Sequence, residues 1–508
     1  MAEEEPVSAP SPLRRPANEE ARATGRSPAG RLLLASNREP FRLDDDGDGG
    51  GKCVTSMGGL ASGLMPLLRR HEGVWVCWDP EPRKAVDETD RPNEPTDDGP
   101  FPVLHVGLRP SEVRDYYNGF CNRVLWPLCH TILKRVSPRL DYWQQFRTVN
   151  ERFADVIAGA ADPNDIVWLH DYHLMLVPEA MRRRIGRQQR IGYFHHIPFP
   201  EARVLRALPW HRQLLSGLLG ADAVGFHTAG YAVRFIESCG ELLDCDIDSE
   251  PGAIIHGGHR TLVRARPIGI DAKSFARLAE DPGIIRRAIG LRRQFACDCL
   301  MLSVDRLDYT KGLVERVEAI HELFARLPQC RGIVTFVQVA VPTRTQIPDY
   351  QQYRARFESA VRVVNETFGT NEWQPIVCRT EALTRRELVA HYLAADVACV
   401  TPVADGMNLV ALEYCATRTG NDGVLVLSRQ AGASVALGES AVTVDVRSTE
   451  SIVSGLVQAL TMPGSERARR MAQLRSVVMR STSEQWLRRC LNDIEPAVSE
   501  LLPARTMN

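Results

Sequence analysis

Residues 300–327 read LMLSVDRLDYTKGLVERVEAIHELFARL and contain the basic building unit of the fold. The segment opens with a short, largely apolar run of the kind found in strands that are buried on both faces of a parallel sheet. Further along, the apolar side chains recur at the helical period. They lie on one stripe that comprises Leu313, Val317, Ile320, Phe324 and Leu327. A helix over 311–327, ended by Pro328, is therefore predicted to follow directly on a buried strand.

The same alternation of strand-like and helical segments extends along most of the chain. Apolar runs typical of buried strands occur at 32–35, 74–76, 166–169, 191–194, 223–226, 300–304, 334–337, 397–400 and 424–427. We predict an α/β architecture of two doubly wound, Rossmann-like domains that face a central cleft. The N-terminal domain is expected over 30–267 and the C-terminal domain over 268–470, followed by a final helical stretch over 471–508. Residues 1–29 carry few large apolar side chains, which predicts a disordered tail.

The composition disfavours several classes of protein. The 508 residues are 44% hydrophobic and 25% charged, and 62 Lys and Arg offset 63 Asp and Glu to give a net charge of −1. That balance provides no overall field to attract nucleic acid or an anionic membrane. No apolar run has the length of a transmembrane helix or the form of a secretory signal, which predicts a cytoplasmic protein. The 13 cysteines are an odd number spread through apolar segments, so we interpret them as reduced thiols.

The polar residues after the strand at 300–304 have the chemistry needed to bind a diphosphate. Arg306 and Lys311 stand at the predicted start of a helix. A helix N-terminus offers unpaired N–H groups and the positive end of the helix dipole, to which these side chains add a forked donor and a point charge. A solvated helix start would show the same local features. No Walker-type or three-glycine dinucleotide motif occurs at the first turn of either domain, which disfavours a kinase or a dehydrogenase.

A glycine turn, MGGLASG at 57–63, follows the first predicted strand and contains Gly59. Glycine lets the backbone approach a ligand closely and offers its amide as a donor. Glycine turns are common, but the end of the first strand also carries Asn37 and Arg38. A guanidinium is therefore expected where a polar ligand would lie beside the turn.

The string ADGMNLVALE at 404–413 is a third strand–turn–helix junction. It places Asp405 and Glu413 eight residues apart, which is about 12 Å along a helix. The two catalytic carboxyl groups of a glycosidase would have to lie closer, within roughly 5 to 9.5 Å. We interpret the pair as anchors for hydroxyl groups at the two ends of a nucleotide sugar, with helix amides facing the diphosphate between them.

Four histidines and one aspartate occur in two further strings, HDYH at 170–173 and HHIPFP at 195–200. Adjacent residues of a strand point to opposite faces, so His195 and His196 are poorly placed to bind one metal ion together. We predict no metal site. One of the two histidines is expected to pack in the core and the other to face the cleft.

Aromatic residues near the predicted cleft allow two interpretations. Tyr117, Trp126 and Trp78 have the character of core or interface side chains. Indole and phenol groups also stack on sugars and donate hydrogen bonds to phosphate, and Arg344 would add a further phosphate donor. The pattern by itself leaves both interpretations open.

Taken in order, these motifs resemble the trehalose-6-phosphate synthase family. The matching strings are SNR at 36–38, GGL at 58–60, YYN at 116–118, LWP at 125–127, HDYH at 170–173, HIPFP at 196–200, RLDYTKG at 306–312 and DGMNLV at 405–410. The resemblance covers about residues 31–495. It implies a GT-B glycosyltransferase fold in which the C-terminal helix returns to the N-terminal domain. It also implies retaining transfer of glucose from a nucleoside diphosphate glucose to glucose 6-phosphate, giving α,α-trehalose 6-phosphate.

The resemblance also implies roles for individual residues. Arg306 and Lys311 would hold the donor diphosphate and stabilise its departing charge, and Asp171 and His196 would complete the catalytic set. The implied donor site comprises Gly59, His196, Arg306, Lys311, Asp405, the main chain of Leu409, and Glu413 at the ribose. The implied acceptor site comprises Arg38, Trp78, Tyr117, Trp126, Asp171 and Arg344. The family uses no protein nucleophile, metal or prosthetic group.

The sequence leaves open a second possible acceptor substrate. Ala404 and Leu412 stand where the bacterial pattern has Arg and Lys, and the strings REPF at 38–41 and FHH at 194–196 resemble the glucosylglycerol-phosphate synthases. The alternative is therefore a transferase that uses glycerol 3-phosphate. A catalytically silent, regulatory relative is a third reading, which the charged residues retained in the cleft disfavour. The nucleotide base and a homo-oligomeric state are left open by the sequence.

Overall fold

Two parallel sheets dominate the computed structural model, which describes residues 30–38, 41–44, 52–55, 68, 73–78, 101–248, 252–295 and 297–494. Within these residues the N-terminal sheet has nine strands and the C-terminal sheet six. Each sheet contains six neighbouring strands that can be numbered one to six by their order along the chain. Across the sheet these strands lie in the spatial order 3-2-1-4-5-6. This is the doubly wound order of a dinucleotide-binding fold. The predicted α/β class is confirmed, whereas the predicted tail over 1–29 lies outside the described residues.

The N-terminal half contributes eleven strands within the described residues. They are β1 (Leu32–Arg38), β2 (Phe41–Asp44), β3 (Lys52–Thr55), β4 (Val74–Trp78), β5 (Val103–Val106), β6 (Ile166–His170), β7 (Arg190–His195), β8 (Ala223–Phe226), β9 (Asp246–Ile247), β10 (Ala253–His256) and β11 (His259–Ala265). The sheet order is β5-β4-β1-β6-β7-β8-β11-β10-β9, and β2 pairs with β3 in a separate hairpin. Strands β5 to β11 in this order run parallel, and β10 and β9 are antiparallel additions at the edge.

Helices cover this sheet. They are α1 (Pro110–Glu112), α2 (Trp126–Cys129), α3 (Leu140–Ala160), α4 (Val177–Ile185), α5 (Ala202–Leu205), α6 (His211–Leu218) and α7 (Ala229–Leu242). Short 3-10 turns occupy Leu133–Arg135 and Tyr172–Leu174. Between α1 and α2 the chain forms a π-helix over Val113–Leu125, which buries Tyr116 and Tyr117. Because helices lie on both faces, β4 is buried at every position.

The C-terminal half is an all-parallel sheet. Its strands are β12 (Cys299–Leu307), β13 (Val334–Pro342), β14 (Ile376–Arg379), β15 (Val397–Val400), β16 (Val424–Ser428) and β17 (Val442–Val444), in the order β14-β13-β12-β15-β16-β17. Its helices are α8 (Ala272–Ala279), α9 (Pro282–Phe295), α10 (Leu313–Arg326), α11 (Pro348–Phe368), α12 (Arg385–Ala394), α13 (Leu409–Thr417), α14 (Ser434–Leu437), α15 (Thr449–Thr461) and α16 (Gly464–Arg480). Short 3-10 turns occupy Tyr309–Lys311 and Pro328–Cys330.

The helix predicted over 311–327 begins two residues late, at Leu313. The reason is Gly312, whose φ of 67° lies in the left-handed region and separates the 3-10 turn from the helix. A Cβ atom at this position would lie 2.2 Å from the carbonyl oxygen of Thr401. Only glycine fits both the backbone angle and the close approach.

The last described helix, α17 (Ser483–Ile494), packs against β7 and β8 of the N-terminal sheet. The ring of Trp486 lies 5.3 Å from that of Trp168. Asp493 accepts two hydrogen bonds of 2.7 Å from Arg266. The chain thus returns from the C-terminal sheet to the N-terminal one. None of the helices in the described part of the chain is long and apolar enough to cross a membrane.

Candidate active site

The reversal of strand order marks the place where each sheet would bind a ligand. In the N-terminal sheet it lies between β1, which ends at Arg38, and β6, which is followed by Asp171. In the C-terminal sheet it lies between β12, which precedes Asp308, and β15, whose following loop contains Asp405. Ligands of open α/β sheets bind in the crevice outside these carboxyl ends.

Direct contacts show that the two crevices face each other. Tyr231 of the N-terminal half donates to the backbone oxygen of Asp405 at 3.1 Å. Gly406 lies so close to the N-terminal half that a Cβ atom there would be 2.0 Å from the carbonyl oxygen of His196. Away from this contact, Arg135 forms an ion pair of 2.9 Å with Asp349 of α11. The two crevices therefore form a single cleft between the halves.

Lys311 and Asp405 form an ion pair in this cleft, and their side chains are only 12% and 14% exposed. Asn408 donates a second hydrogen bond to the same carboxylate oxygen, at 3.0 Å. Burial alone would raise the pKa of Asp405, but the charge of Lys311 and the two hydrogen bonds outweigh it and lower this pKa below its ordinary value. Asp405 is therefore an anchored carboxylate.

The predicted spacing of Asp405 and Glu413 along one helix was wrong. Helix α13 begins only at Leu409, after Asn408, whose φ of 76° lies in the left-handed region. Asp405 belongs to the preceding loop and is turned towards Lys311. The backbone N–H of Leu409 is one of the first-turn donors that have no partner within the helix. It is therefore available to a ligand, as the resemblance implies.

Glu413 accepts a hydrogen bond of 2.8 Å from Tyr392. Burial raises the pKa of this carboxyl group to about 7, and the hydrogen bond from Tyr392 and the charge of Arg385 offset only part of that rise. Glu413 therefore changes its charge near neutral pH.

The histidines divide as the strand geometry predicts. His195 is fully buried, whereas His196 is partly exposed beside the cleft. Nε2 of His196 lies 2.9 Å from Nδ1 of His170. Burial lowers the pKa values of both rings, that of His170 to about 3, so the contact joins two neutral imidazoles. Among the described residues, no group of three or more His, Cys, Asp or Glu side chains is arranged to hold a metal ion.

Asp171 lies between the two predicted substrate regions. Its φ is 74°, and its Oδ1 accepts a hydrogen bond of 3.4 Å from the backbone N–H of His196. Burial raises its pKa to about 6, although backbone hydrogen bonds and the charges of Arg344 and Arg306 act in the opposite direction. At neutral pH the group is largely a carboxylate that can accept a hydrogen bond from a sugar hydroxyl.

Trp126 is shared by two of the predicted arginines. The guanidinium carbon of Arg344 lies 4.0 Å from its ring centroid, and that of Arg306 lies 5.5 Å away. Arg306 itself is exposed to the cleft. The indole therefore brings a cation of the predicted donor site and a cation of the predicted acceptor site to one place.

The side chain of Arg344 is only 4% exposed. Its Nη1 donates to Asp308 at 2.9 Å and also to Tyr350, and its Nη2 donates to Tyr172 at 3.1 Å. Its Nε is buried and has no hydrogen-bond partner within the described part of the chain. A guanidinium has five N–H groups in a rigid fork, so an edge of Arg344 is left to bind an anion.

In the N-terminal half, Arg38 donates to the hydroxyl of Tyr117, and its guanidinium carbon lies 4.8 Å from the centroid of that ring. The ring of Trp78 lies 5.5 Å from Tyr117 and is itself 5% exposed. Trp78 thus supports Tyr117 from behind. Gly59 of the predicted donor site lies outside the described residues.

Sequence reasoning missed Asp308, Tyr172 and Tyr350 as functional candidates. Asp308 stands inside the RLDYTKG string, directly after β12, and that position was a usable signal. Tyr350 has no such signal, because it reaches the site from α11.

Two doubly wound domains that face one cleft, with cations and carboxylates on both sides of it, have the GT-B architecture that is found in glycosyltransferases. The profile of Glycosyltransferase family 20 matches residues 30–496. The chain belongs to this family.

Relatives and solved structures agree with the assignment. The chain is 37% identical to the UDP-forming α,α-trehalose-phosphate synthase 2 of Aspergillus niger, over 91% of this chain and 97% of the relative. A solved E. coli structure bound with UDP-2-fluoro glucose is 32% identical, with a TM-score of 0.83 and coverage of 92% and 99%. A Burkholderia xenovorans synthase in complex with glucose-6-phosphate is 31% identical, with a TM-score of 0.84 and coverage of 92% and 100%. The chain spans only 62% and 61% of the length of two other curated relatives.

Proposed function

We propose that this protein transfers glucose from UDP-glucose to glucose 6-phosphate and so forms α,α-trehalose 6-phosphate and UDP. The observation that carries the proposal is that four cationic side chains line one cleft, and we divide them into two pairs by the ligand each would hold. Arg306 and Lys311 form the first pair, and Arg38 and Arg344 form the second. A diphosphate and a sugar phosphate need two such sites, because each carries its own negative charge.

The relatives support the choice of both substrates. The UDP-2-fluoro glucose bound in the E. coli structure supports uridine as the base of the donor. The glucose-6-phosphate bound in the Burkholderia xenovorans synthase supports that acceptor over glycerol 3-phosphate. Curated relatives named as UDP-forming trehalose-phosphate synthases support the same reaction.

We assign the residues as follows. Arg306 and Lys311 hold the diphosphate and stabilise the charge that develops as it leaves. His196, Asp405, Leu409 and Glu413 hold the glucose and ribose of the donor, and Arg38, Tyr117, Trp126, Asp171 and Arg344 hold the acceptor, with Trp78 behind Tyr117. The bond between C1 of glucose and the diphosphate oxygen breaks as the acceptor oxygen bonds to C1 on the same face. The acceptor proton passes to the leaving diphosphate.

A matrix of donors and acceptors tests the proposal. Purified protein is mixed with UDP-, ADP- or GDP-glucose and with glucose 6-phosphate or glycerol 3-phosphate, and nucleotide release and product mass are followed. We expect product at the mass of trehalose 6-phosphate, with UDP-glucose as the best donor. Product formed only with glycerol 3-phosphate, or no turnover from folded protein, would contradict the proposal.

The donor KM is expected to depend on pH through Glu413. This carboxyl group has a pKa of about 7, and only its charged form can accept hydrogen bonds from both ribose hydroxyls. Since the pKa is raised, the charged form is lost as the pH falls below 7. We expect the KM for UDP-glucose to be about tenfold higher at pH 6 than at pH 8. Initial rates of wild type and Glu413→Gln measure this, because the variant should show a high KM at both values. An equally steep profile in the variant would assign the effect elsewhere.

We also propose that transfer needs no metal ion or prosthetic group. Lys311 and Arg306 supply the positive charge that a divalent cation would otherwise bring to the diphosphate. The rate in excess EDTA is therefore expected to equal the rate with magnesium. Loss of turnover in EDTA and its recovery on adding magnesium would refute this.

We place the enzyme in the cytoplasm. Twelve of the 13 cysteines are free thiols, as is usual for proteins kept in a reducing compartment. Fractionation of the source cells tests the location. The homo-oligomer that the sequence leaves open stays a prediction, which sedimentation equilibrium of the purified protein would decide.

A further inference from the structure

Asp308 lies between the two proposed substrate sites and is completely buried. Both of its carboxylate oxygens are occupied. Oδ1 accepts from the backbone N–H and the hydroxyl of Thr310, each at 3.0 Å, and from Nε1 of Trp126 at 3.4 Å. Oδ2 accepts from Nη1 of Arg344 at 2.9 Å and from the hydroxyl of Tyr350 at 3.2 Å. The two oxygens thus contact different parts of the cleft.

Two of the three Oδ1 contacts, both from Thr310, act on the donor side, whereas the third comes from Trp126 of the proposed acceptor site. Thr310 precedes Lys311 in the 3-10 turn Tyr309–Lys311, and its N–H and hydroxyl bonds to Asp308 fix this turn directly after β12, the strand that carries Arg306. The carbonyl oxygen of Thr310 in turn accepts a bond of 2.8 Å from Val403, in the loop that leads to Asp405. Oδ1 therefore anchors the loops that carry the donor-binding charges.

The Oδ2 contacts act on the acceptor side. Asp308 and Tyr350 hold Nη1 of Arg344, and the buried Nε has no partner among the residues that the structure describes. Because a guanidinium is planar and rigid, fixing one of its ends determines where the free edge points. The backbone of Arg344 is also in the left-handed region, with a φ of 49°. Such a conformation persists only where the surroundings hold it.

The carboxyl group is charged when it makes these bonds. Burial alone would raise its pKa, but the charges of Arg344 and Arg306, together with the backbone hydrogen bond from Thr310, lower it below the ordinary value. An asparagine in place of Asp308 would have only one accepting oxygen. Its NH2 group would face the hydrogen-bond donors that now bind the second carboxylate oxygen.

We propose that Asp308 is a positioning residue that couples the two substrate sites, with one oxygen aligning the loop that binds the donor diphosphate and the other aligning the arginine that binds the acceptor phosphate. The proposal rests on the proposed function, which assigns those two ligands. It deepens that function because a single buried side chain then sets the relative placement of both reactants. A small displacement of one bound substrate relative to the other strongly reduces the rate of transfer between them.

Two hydroxyl deletions, one at each oxygen, test the proposal. Tyr350→Phe removes a donor from Oδ2, and Thr310→Val removes one from Oδ1. A hydrogen bond to a charged group changes binding by about tenfold. We expect Tyr350→Phe to raise the KM for glucose 6-phosphate by about five- to tenfold and to leave the KM for UDP-glucose within about twofold. We expect the opposite pattern for Thr310→Val.

Asp308→Asn is expected to raise both KM values and to lower kcat by about a hundredfold. A mutant cycle with Arg344→Ala separates positioning from general damage. If Asp308 acts on the acceptor through Arg344, Asp308→Asn has no further effect on the acceptor KM once Arg344 is replaced by alanine. Effects that multiply instead would overturn the proposal.

Circular dichroism and melting curves establish that each variant is folded. If Asp308→Asn does not fold, the two hydroxyl variants decide the question alone. Equal shifts of both KM values in both variants would overturn the coupling role while leaving the proposed function intact. A folded wild-type protein that is inactive with UDP-glucose and glucose 6-phosphate would overturn the proposed function and this inference together.

Discussion

Replacing Arg306 and Lys311 together by alanine is expected to lower kcat by at least about a thousandfold, because each removes a charge aimed at the departing diphosphate. The reaction has no protein nucleophile that could compensate for the loss. Lys311 also neutralises Asp405 in a site where both side chains are largely buried. The double variant is therefore expected to melt at a lower temperature as well, since it leaves that carboxylate without its cation.

Stopped assays of UDP release measure the effect, after a melting curve has fixed a temperature at which the variant is folded. Arg326→Ala is a suitable control, because this exposed arginine of α10 forms its ion pairs among the described residues with Glu322 and Glu450, far from the proposed diphosphate ligands in sequence. It should retain normal turnover. Near-normal turnover in the folded double variant would refute the assignment of the diphosphate site.

Gly406→Ala is expected to lower kcat by at least about a hundredfold. The added Cβ atom would lie 2.0 Å from the carbonyl oxygen of His196 and 3.0 Å from Cα of Ile197. Both atoms belong to the backbone of the opposite half, so no side chain can move to make room. The two halves must separate by about 1 Å or more, and a shift of that size between bound reactants costs about two orders of magnitude in rate.

Gly290→Ala provides the matched control for this substitution. A Cβ atom at Gly290, in α9 of the same half, would meet no atom of the described residues within 4 Å. This variant should be as active as wild type and slightly more stable, because alanine favours a helix over glycine. Activity of Gly406→Ala equal to that of Gly290→Ala would show that the close approach of the halves is dispensable.

The sequence predicted the fold class well because parallel strands buried on both faces leave long apolar runs, and because strand–turn–helix junctions place polar residues at known ends of the sheet. The segment 300–327 illustrates both signals. Its helix began two residues later than expected, since the left-handed backbone of Gly312 depends on Thr401, which lies on another strand end. Local periodicity contains no information about such a contact.

The sequence predicted the site residues that belong to a single motif, but it did not predict the contacts between residues of different motifs. Asp405 and Glu413 were expected on one helix, but the contact of Asp405 with Lys311 turns it away from α13. The bonds that Asp308 makes with Arg344 and Tyr350 join β12 to residues near α11. These pairings arise from the arrangement of the chain in space, and no spacing rule along the sequence anticipates them.

The return of α17 to the N-terminal sheet has a consequence for the way the protein is made. The surface of Trp168 that contacts Trp486 stays uncovered until the ribosome has added residues 483–494. The first half therefore completes its folding only after the second half has been synthesised, although it leaves the ribosome first. Until then the part of the sheet face that α17 covers, including Trp168 and Phe194, is exposed in the nascent chain.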